Sequence, residues 1–209
     1  MIITKYENYF LKFTFANKTI GLNPVSKDSK LKTSKFGSDV VLSNVDHKDF
    51  NGFDFMAFGD REPFIIKGPG EYEIADVFIK AYGFVSKFEG EDKIITSYTM
   101  LLDGINVAIF GPVSSGEEFS NEAFEEFSRS DVFILPIGSG DSFSPKDAWK
   151  FVKQFGPKII VPVFATKEDV EEFKNEVGVE VEIEDKLTLK QKDIPAEGVL
   201  RIIDLKIAK

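Results

Sequence analysis

The sequence predicts an α+β fold made of two mixed β-sheets with helices outside. Apolar and polar residues alternate over much of the first half of the chain, as expected for strands that bury one face. In the second half, segments with a helical apolar period follow short apolar strands. The 209 residues contain no repeat of roughly 20–50 residues and no long linker rich in Pro, Gly or Ser. We therefore expect a single domain over residues 1–209.

Strands dominate the first half of the chain. A polar loop at 25–38 and a charged connection at 86–92 interrupt them. Asn17 favours a tight turn because asparagine tolerates a positive φ. Asp103-Gly104 lies between two apolar runs, which is the strongest hairpin signal in the chain. Three short strands are predicted within 1–24, a buried strand at 63–66, and further strands at 39–43, 72–74, 77–84, 93–102 and 105–110.

Three helices are predicted in the second half, each with an apolar face and a capping residue. Ser120 or Asn121 is expected to cap the first helix. Ser144 caps the second helix, which has a proline in its first turn, and Thr166 caps the third. Apolar strands are expected between and after these helices, at 131–136, 158–163, 179–183, 186–189 and 199–207.

The composition is typical of a soluble globular protein, with 43% hydrophobic and 29% charged residues. No apolar run approaches the roughly 20 residues that span a bilayer. The first residues lack the basic and apolar regions of a signal peptide, and the absence of cysteine excludes disulfides and thiolate metal sites. We expect a cytoplasmic protein. Scarce Gln with abundant Lys and Glu is typical of thermophilic proteins, which a melting temperature in the mesophile range would contradict.

The charge of the chain argues against two classes of partner. Its net charge is −9 at pH 7 and its pI is about 4.8. Nucleic acids and anionic membranes are bound by clustered Lys and Arg, and the sequence has no basic stripe. The acidic residues cluster instead at 117–118, 122–126 and 168–184, which is typical of solvated helix faces. We therefore expect no nucleic acid partner and no membrane association.

The only histidine of the chain lies in a polar loop that follows the strand at 39–43. This loop contains Asp46, His47 and Asp49. Loops at the ends of buried strands are where α/β proteins place their chemistry. The three side chains could form a residual metal site, and His47 could also act as a base near neutral pH. No serine or cysteine motif accompanies His47, so a polar loop without chemistry is the simpler interpretation.

Two other glycine-containing loops are candidate binding sites, and the one at 68–71 is predicted to be a tight turn. The glycine-rich run at 138–142 precedes the second predicted helix and could hold an anion on its backbone N–H groups. It matches neither a P-loop nor a dinucleotide-binding fingerprint. The run is therefore predicted to be an ordinary strand-to-helix loop.

Six segments of the chain, taken together, carry a resemblance: 20–24, 39–51, 64–73 with its Gly-Pro-Gly-Glu-Tyr run, 102–111, 132–138 and 159–164. In order and spacing they resemble the lactonase-like, metal-dependent hydrolase branch of the metallo-β-lactamase superfamily. The resemblance covers most of residues 1–165. It implies a four-layer αββα sandwich with the site at the strand ends on one edge.

The same resemblance implies that the zinc site of the family is lost in this chain. The first ligand motif of the family reads His-x-His-x-Asp-His, and the matching positions here read Val45-x-His47-x-Asp49-Phe50. His47 and Asp49 would belong to different metals in the family's two-metal pattern. Since a zinc site needs about three protein ligands, we expect no zinc cofactor and no other bound metal.

The later positions of the family pattern lack ligands as well. Pro112 stands where the bridging aspartate is expected, and Phe164 stands where the last histidine is expected. The stretch 79–93, in which the middle histidine should fall, contains none. We therefore expect no catalytic residue. The vestigial motif positions are Asp46, His47 and Asp49, and the altered cleft positions are Val45, Phe50, Pro112 and Phe164.

Three functions are compatible with this sequence, and we favour the first. It is a non-catalytic module that binds a small apolar or neutral ligand in the altered cleft, or a protein partner. The second is a divergent hydrolase that holds Mn²⁺ or Mg²⁺ with Asp46, His47, Asp49 and either Asp39 or Glu71. The third is a homo-oligomer whose former cleft is an interface. The first hypothesis expects Phe50 and Phe164 to fill the metal positions. Both belong to a set of phenylalanines at or near the loops that would line the cleft: Phe50, Phe53, Phe55, Phe58, Phe64, Phe84 and Phe164.

Overall fold

The computed structural model describes residues 1–60, 62–117, 119–138 and 140–208. Glu118 of the acidic run and Ser139 of the glycine-rich loop lie outside the described residues. The described chain forms two mixed β-sheets that share one hydrophobic core, with three α-helices against the larger sheet. The predicted α+β sandwich is therefore confirmed.

The smaller sheet contains six strands: β1 (Ile2–Lys5), β2 (Leu11–Phe15), β3 (Lys18–Leu22), β4 (Val40–Leu42), β5 (Phe64–Ile66) and β13 (Leu187–Thr188). Their spatial order is β13-β1-β2-β3-β4-β5. Pairing is antiparallel from β13 to β3 and parallel across β3, β4 and β5. The carboxyl ends of these three parallel strands therefore lie at one edge of the sheet.

The larger sheet contains eight strands: β6 (Gly70–Ile74), β7 (Val77–Phe88), β8 (Glu91–Leu102), β9 (Ile105–Ile109), β10 (Val132–Ile137), β11 (Ile159–Phe164), β12 (Val181–Glu184) and β14 (Arg201–Leu205). Their spatial order is β12-β14-β11-β10-β9-β8-β7-β6. Strands β12 to β9 are parallel, and strands β9 to β6 form an antiparallel meander. The change occurs at β9, whose carboxyl end leads directly to Pro112.

The three helices are α1 (Asn121–Phe127), α2 (Pro145–Val152) and α3 (Lys167–Val177). Each predicted cap is present. The hydroxyls of Ser120, Ser144 and Thr166 each accept a hydrogen bond from the backbone N–H three residues later. Within the described ranges, no helix is long and apolar enough to cross a membrane.

Aromatic rings join these helices to the larger sheet. The Phe110 ring lies 4.8 Å from that of Phe127 in α1, 5.0 Å from that of Phe133 in β10 and 5.2 Å from that of Phe151 in α2. Edge-to-face contacts of this kind add to the free energy gained from burial. Most phenylalanines in this half of the chain are therefore core residues, as their spacing indicates.

The outer face of the smaller sheet has a different cover. Val40 and Leu42 of β4 point into the main core, whereas Val41 between them packs in a second cluster. This cluster contains Phe10, Val25 and Met56, flanked by partly buried Tyr6, Leu31, Phe36, Phe53 and Phe55. The fourth layer is thus formed by irregular segments and the short 3₁₀ helix Phe53–Phe55.

Two details of the predicted strands are wrong. The 86–92 connection is mostly strand, because β7 continues to Phe88 and β8 begins at Glu91, which leaves only Glu89 and Gly90 in the turn. The predicted buried strand at 63–66 is largely exposed, with Phe64 at 45% and Ile65 at 42%. Among the described residues it is an edge strand, paired on one side with β4.

The turn before β3 also differs from its prediction. The positive φ falls on Ala16, at 45°, and not on Asn17. Asn23, at the end of β3, adopts a φ of 53°. The conformational tolerance of asparagine is therefore used at the carboxyl end of β3.

Candidate functional site

A buried set of amides fixes the loop in which the ligand motif lies. Asn23 follows β3 and Asn44 follows β4, so the parallel strands bring the two side chains together. Asn23 Nδ2 donates to Asn44 Oδ1 at 2.6 Å, and the Asn44 backbone N–H donates to Asn23 Oδ1 at 2.8 Å. Asn44 Nδ2 donates to the carbonyl of Thr96 in β8 at 2.6 Å. These bonds connect the two sheets.

Tyr98 of β8 adds a second connection between the sheets. Its hydroxyl donates to the Ser43 carbonyl at 2.5 Å and to the Ile66 carbonyl at 3.3 Å. Burial raises the pKa of the Tyr98 phenol far above its usual range. The group therefore stays neutral and acts as a structural donor. The hydrogen bonds of Asn23, Asn44 and Tyr98 all join protein groups. These side chains therefore support the loop and do not present free polar groups to a ligand.

His47 is held between two carboxylates. Its Nδ1 lies 3.9 Å from Asp49 Oδ2, and its Nε2 lies 3.6 Å from Glu89 Oε2. The ring also packs on Phe88, with 5.3 Å between centroids. Glu89 stands in the turn between β7 and β8, within the segment predicted as a connection. Sequence analysis missed this residue because no local pattern shows that the long hairpin reaches the histidine loop.

These three polar groups do not form a common metal site. Asp49 and Glu89 face opposite nitrogens of the imidazole ring of His47, so one ion cannot contact both carboxylates and the ring. The Asp49 carboxylate is further engaged, because Oδ1 accepts a hydrogen bond from Ser29 Oγ at 2.5 Å. Across residues 1–60, 62–117, 119–138 and 140–208, no three His, Cys, Asp or Glu side chains are grouped to hold a metal.

The carboxylates of the alternative hydrolase site are engaged elsewhere. Asp46 Oδ1 accepts from Asn51 Nδ2 at 3.1 Å on the exposed side of the loop. Asp39 Oδ2 accepts from the Thr19 backbone N–H at 2.8 Å. Glu71 Oε1 lies 3.8 Å from Lys80 Nζ on the β6–β7 ladder. The geometry does not bring these residues together with His47, so it does not assemble the predicted Mn²⁺ or Mg²⁺ site.

Phe50, which the sequence comparison above matches with a histidine of the family motif, is 2% exposed. Its ring lies 5.6 Å from the Tyr9 ring, 5.7 Å from the Phe88 ring and 6.3 Å from the His47 ring. Val45 is buried as well, in the same loop. Apolar side chains thus fill this part of the cleft.

Pro112 and Phe164 are the other two residues predicted to stand at altered cleft positions. Pro112 is buried just after β9, where the Gly111 N–H donates to Ser97 Oγ at 3.1 Å. Phe164 is half-buried, and its ring lies 5.5 Å from that of Phe173 in α3. Phe164 is the last residue of β11, and its ring packs against α3. That Phe50 and Phe164 fill the metal positions together stays a prediction.

The other loop phenylalanines do not gather in the cleft either. Phe53 and Phe55 pack beside the second cluster on the smaller sheet, and Phe58 is 73% exposed. Phe64 contacts the ring of Tyr72, and Phe84 contacts the ring of Phe119. The zinc of the family does not fit the residues present, because Val45, Phe50, Pro112 and Phe164 offer no side-chain donor atom.

Comparison with known proteins gives the same fold. A proposed Zn-dependent hydrolase of the metallo-β-lactamase superfamily from Thermotoga maritima is 22% identical, and the match covers 98% of this chain and 99% of that one at a TM-score of 0.74. A proposed metal-dependent hydrolase from Parabacteroides distasonis is 19% identical over 96% and 91% of the two chains, at a TM-score of 0.64. Isothiocyanate hydrolase from Delia radicum gut bacteria is 14% identical, and the match covers 85% of this chain and 93% of that one at a TM-score of 0.59.

These similarities to solved structures show the fold alone, since their identities are low. No functionally curated protein matches the chain in sequence. The family described as the beta-lactamase superfamily domain matches residues 3–164, which is well over half of the 209 residues. The chain therefore belongs to the beta-lactamase superfamily domain family.

Proposed function

We infer that this protein is a non-catalytic, metal-independent member of its family that acts as a cytoplasmic binding module. The observation that carries the proposal is Phe50, which stands at a histidine position and is buried among Tyr9, Phe88 and His47. Burying a phenylalanine side chain stabilises a fold by about 1.5–3 kcal/mol. The replacement therefore exchanges a metal ligand for core packing.

The burial of the cleft positions bears on what the module binds. Val45, Phe50 and Pro112 present little surface to a small molecule. Val85 and Ile94, in contrast, form a cross-strand pair on β7 and β8 and are each more than half exposed. Exposed apolar groups of this kind support a protein partner, which includes a second copy of the chain. Light scattering of the purified protein would distinguish self-association from a monomer.

Retained metal is the direct test of the proposal. The protein is purified without chelator, incubated separately with Zn²⁺, Mn²⁺ and Mg²⁺, desalted and analysed by elemental mass spectrometry. We expect far less than one metal ion per chain, because His47 and its two carboxylates do not converge. A zinc enzyme that passes through the same desalting step controls for loss of bound metal.

The His47→Ala variant separates specific from incidental binding. We expect wild type and variant to retain the same trace of metal. Near-stoichiometric metal in the wild type that is lost in His47→Ala would overturn the proposal, as would hydrolysis of phosphoester or lactone substrates that disappears in this variant. Either result would restore the divergent hydrolase as the working function.

A further inference from the structure

A cavity of about 240 Å³ lies on the flank of α2, beside the only tryptophan of the chain. It is bounded by Trp149, Val152 and Lys153 on the helix side, Lys158 beyond the helix end, and Glu197 and Leu200 on the loop before β14. None of the residues of the histidine loop lines it. The cavity is therefore separate from the histidine loop.

The helix pattern explains why an aromatic wall faces this cavity. Ala148, Phe151 and Val152 lie on the buried face of α2. Trp149 lies at the edge of that face and is half-buried. Leu200, also half-buried, forms another part of the lining. A flat indole ring and aliphatic side chains suit a planar apolar ligand.

The two lysines that line the cavity differ in whether they form an ion pair. The Lys158 ammonium is neutralised by Asp131, with 2.8 Å between Nζ and Oδ1. Lys153 has no ion-pair partner in the described part of the chain, and its Nζ lies 5.5 Å from the centroid of the Trp149 ring. The indole N–H of Trp149 likewise donates no hydrogen bond within the described residues. Among the described residues, these two donors beside the Trp149 ring make no hydrogen bond or ion pair, and the only contact recorded for the Lys153 ammonium is with the ring itself.

We propose that this cavity binds a small planar aromatic monocarboxylate, whose ring packs on Trp149 and Leu200 and whose carboxylate accepts from Lys153 and the indole N–H. The volume lies just below the range of roughly 300–1,000 Å³ that holds drug-sized ligands, so a one- or two-ring compound fits. Glu197 on the rim and the net charge of −9 disfavour a polyanion such as a phosphate ester.

The single tryptophan makes the test specific. In a ¹H–¹⁵N spectrum the indole N–H of Trp149 gives one side-chain signal, which is followed while 2-naphthoate is added to the full chain. The neutral 2-naphthamide has the same ring system and serves as the matched ligand. We expect a saturable shift of the indole signal with 2-naphthoate and at least about fivefold weaker binding of 2-naphthamide, as for a partly exposed ion pair.

Two lysine variants test the position of the charge. Lys153→Gln should weaken 2-naphthoate binding about fivefold. Lys150→Gln changes a lysine on the same helix that lines a different cavity, and it should leave the affinity unchanged. His47→Ala should leave the affinity unchanged too, so this site and the metal proposal fail or succeed separately.

Each result bears on the proposal. The absence of a saturable indole shift would overturn it, as would equal affinities for 2-naphthoate and 2-naphthamide. Unchanged affinity in a folded Lys153→Gln variant would also overturn the assigned carboxylate contact. If that variant fails to fold, the comparison of the two ligands on the wild-type protein still decides the question.

Discussion

Two tyrosines on neighbouring strands differ in whether their hydroxyl groups are hydrogen-bonded. The Tyr98 hydroxyl donates to the carbonyls of Ser43 and Ile66 and ties β8 to the smaller sheet. The Tyr82 hydroxyl on β7 is buried and has no hydrogen-bond partner within the described residues. Burial and the nearby carboxylates of Glu126 and Glu122 raise the pKa of Tyr82 to about 12. Both phenols are therefore neutral at physiological pH.

The same substitution at these two positions should have opposite effects on stability. Tyr98→Phe removes the donor to the buried Ser43 carbonyl and the second donor to the Ile66 carbonyl, which keeps the Ser43 N–H, and it should lower the free energy of unfolding by about 1–3 kcal/mol. Tyr82→Phe removes only an unpaired hydroxyl and should be neutral or stabilising by up to about 1 kcal/mol. Urea denaturation of both variants beside the wild type provides the measurement. A loss at Tyr82 as large as that at Tyr98 would contradict this assignment.

The altered motif positions can be proposed from the sequence because the evidence for them is local. Val45 and Phe50 are recognisable because His47 and Asp49 keep the frame of the motif between them. Glu89 was not predictable, because it reaches His47 through a hairpin whose length depends on pairing across β7 and β8. The amide contact between Asn23 and Asn44 was missed for the same reason, since it joins the ends of two parallel strands.

Among the secondary-structure elements, helices were predicted more accurately than strands. Capping side chains and the helical apolar period lie within a few residues of each other, so the starts of all three helices were identified. Strand ends depend on neighbours that are distant in sequence. Phe64 and Ile65 have a buried-strand composition, yet they lie on an edge that no local signal identifies.

The first turn of α3 is held by a capping box. Thr166 Oγ1 accepts from the Asp169 N–H at 3.2 Å, and Asp169 Oδ2 accepts from the Thr166 N–H at 2.9 Å. Thr166→Ala removes half of this box and should destabilise the protein by about 1 kcal/mol. Thr166→Ser keeps the hydroxyl and should stay within a few tenths of a kcal/mol of wild type. Thermal unfolding of the two variants checks this, and an equal loss in both would rule out a capping effect.

At the scale of the whole molecule, one buried ion pair spans the two sheets. Lys5 belongs to β1 of the smaller sheet and Asp204 to β14 of the larger, with 3.9 Å between Nζ and Oδ1. Burial lowers the pKa of Lys5 and raises that of Asp204, and in each case the attraction between them opposes the shift without cancelling it. Both charges therefore cost stability at neutral pH.

Removing one charge and removing both should have opposite outcomes. Lys5→Met leaves the partly buried Asp204 carboxylate without its partner and should cost up to about 3 kcal/mol at pH 7. Lys5→Met combined with Asp204→Leu removes both desolvation penalties. This double variant should be as stable as the wild type or more stable by up to about 4 kcal/mol. Urea denaturation of both single variants and the double variant completes the cycle.

The pH dependence distinguishes desolvation from better packing in the double variant. Because the folded-state pKa of Asp204 is raised above 3.8, protonation of this carboxyl favours the folded state. That contribution is fully present below pH 3.8 and is lost as pH rises through the folded-state pKa. The advantage of the double variant should therefore be larger at pH 7 than near pH 3. An advantage that does not change with pH would mean that apolar packing, and not relief of buried charge, stabilises the contact between the sheets.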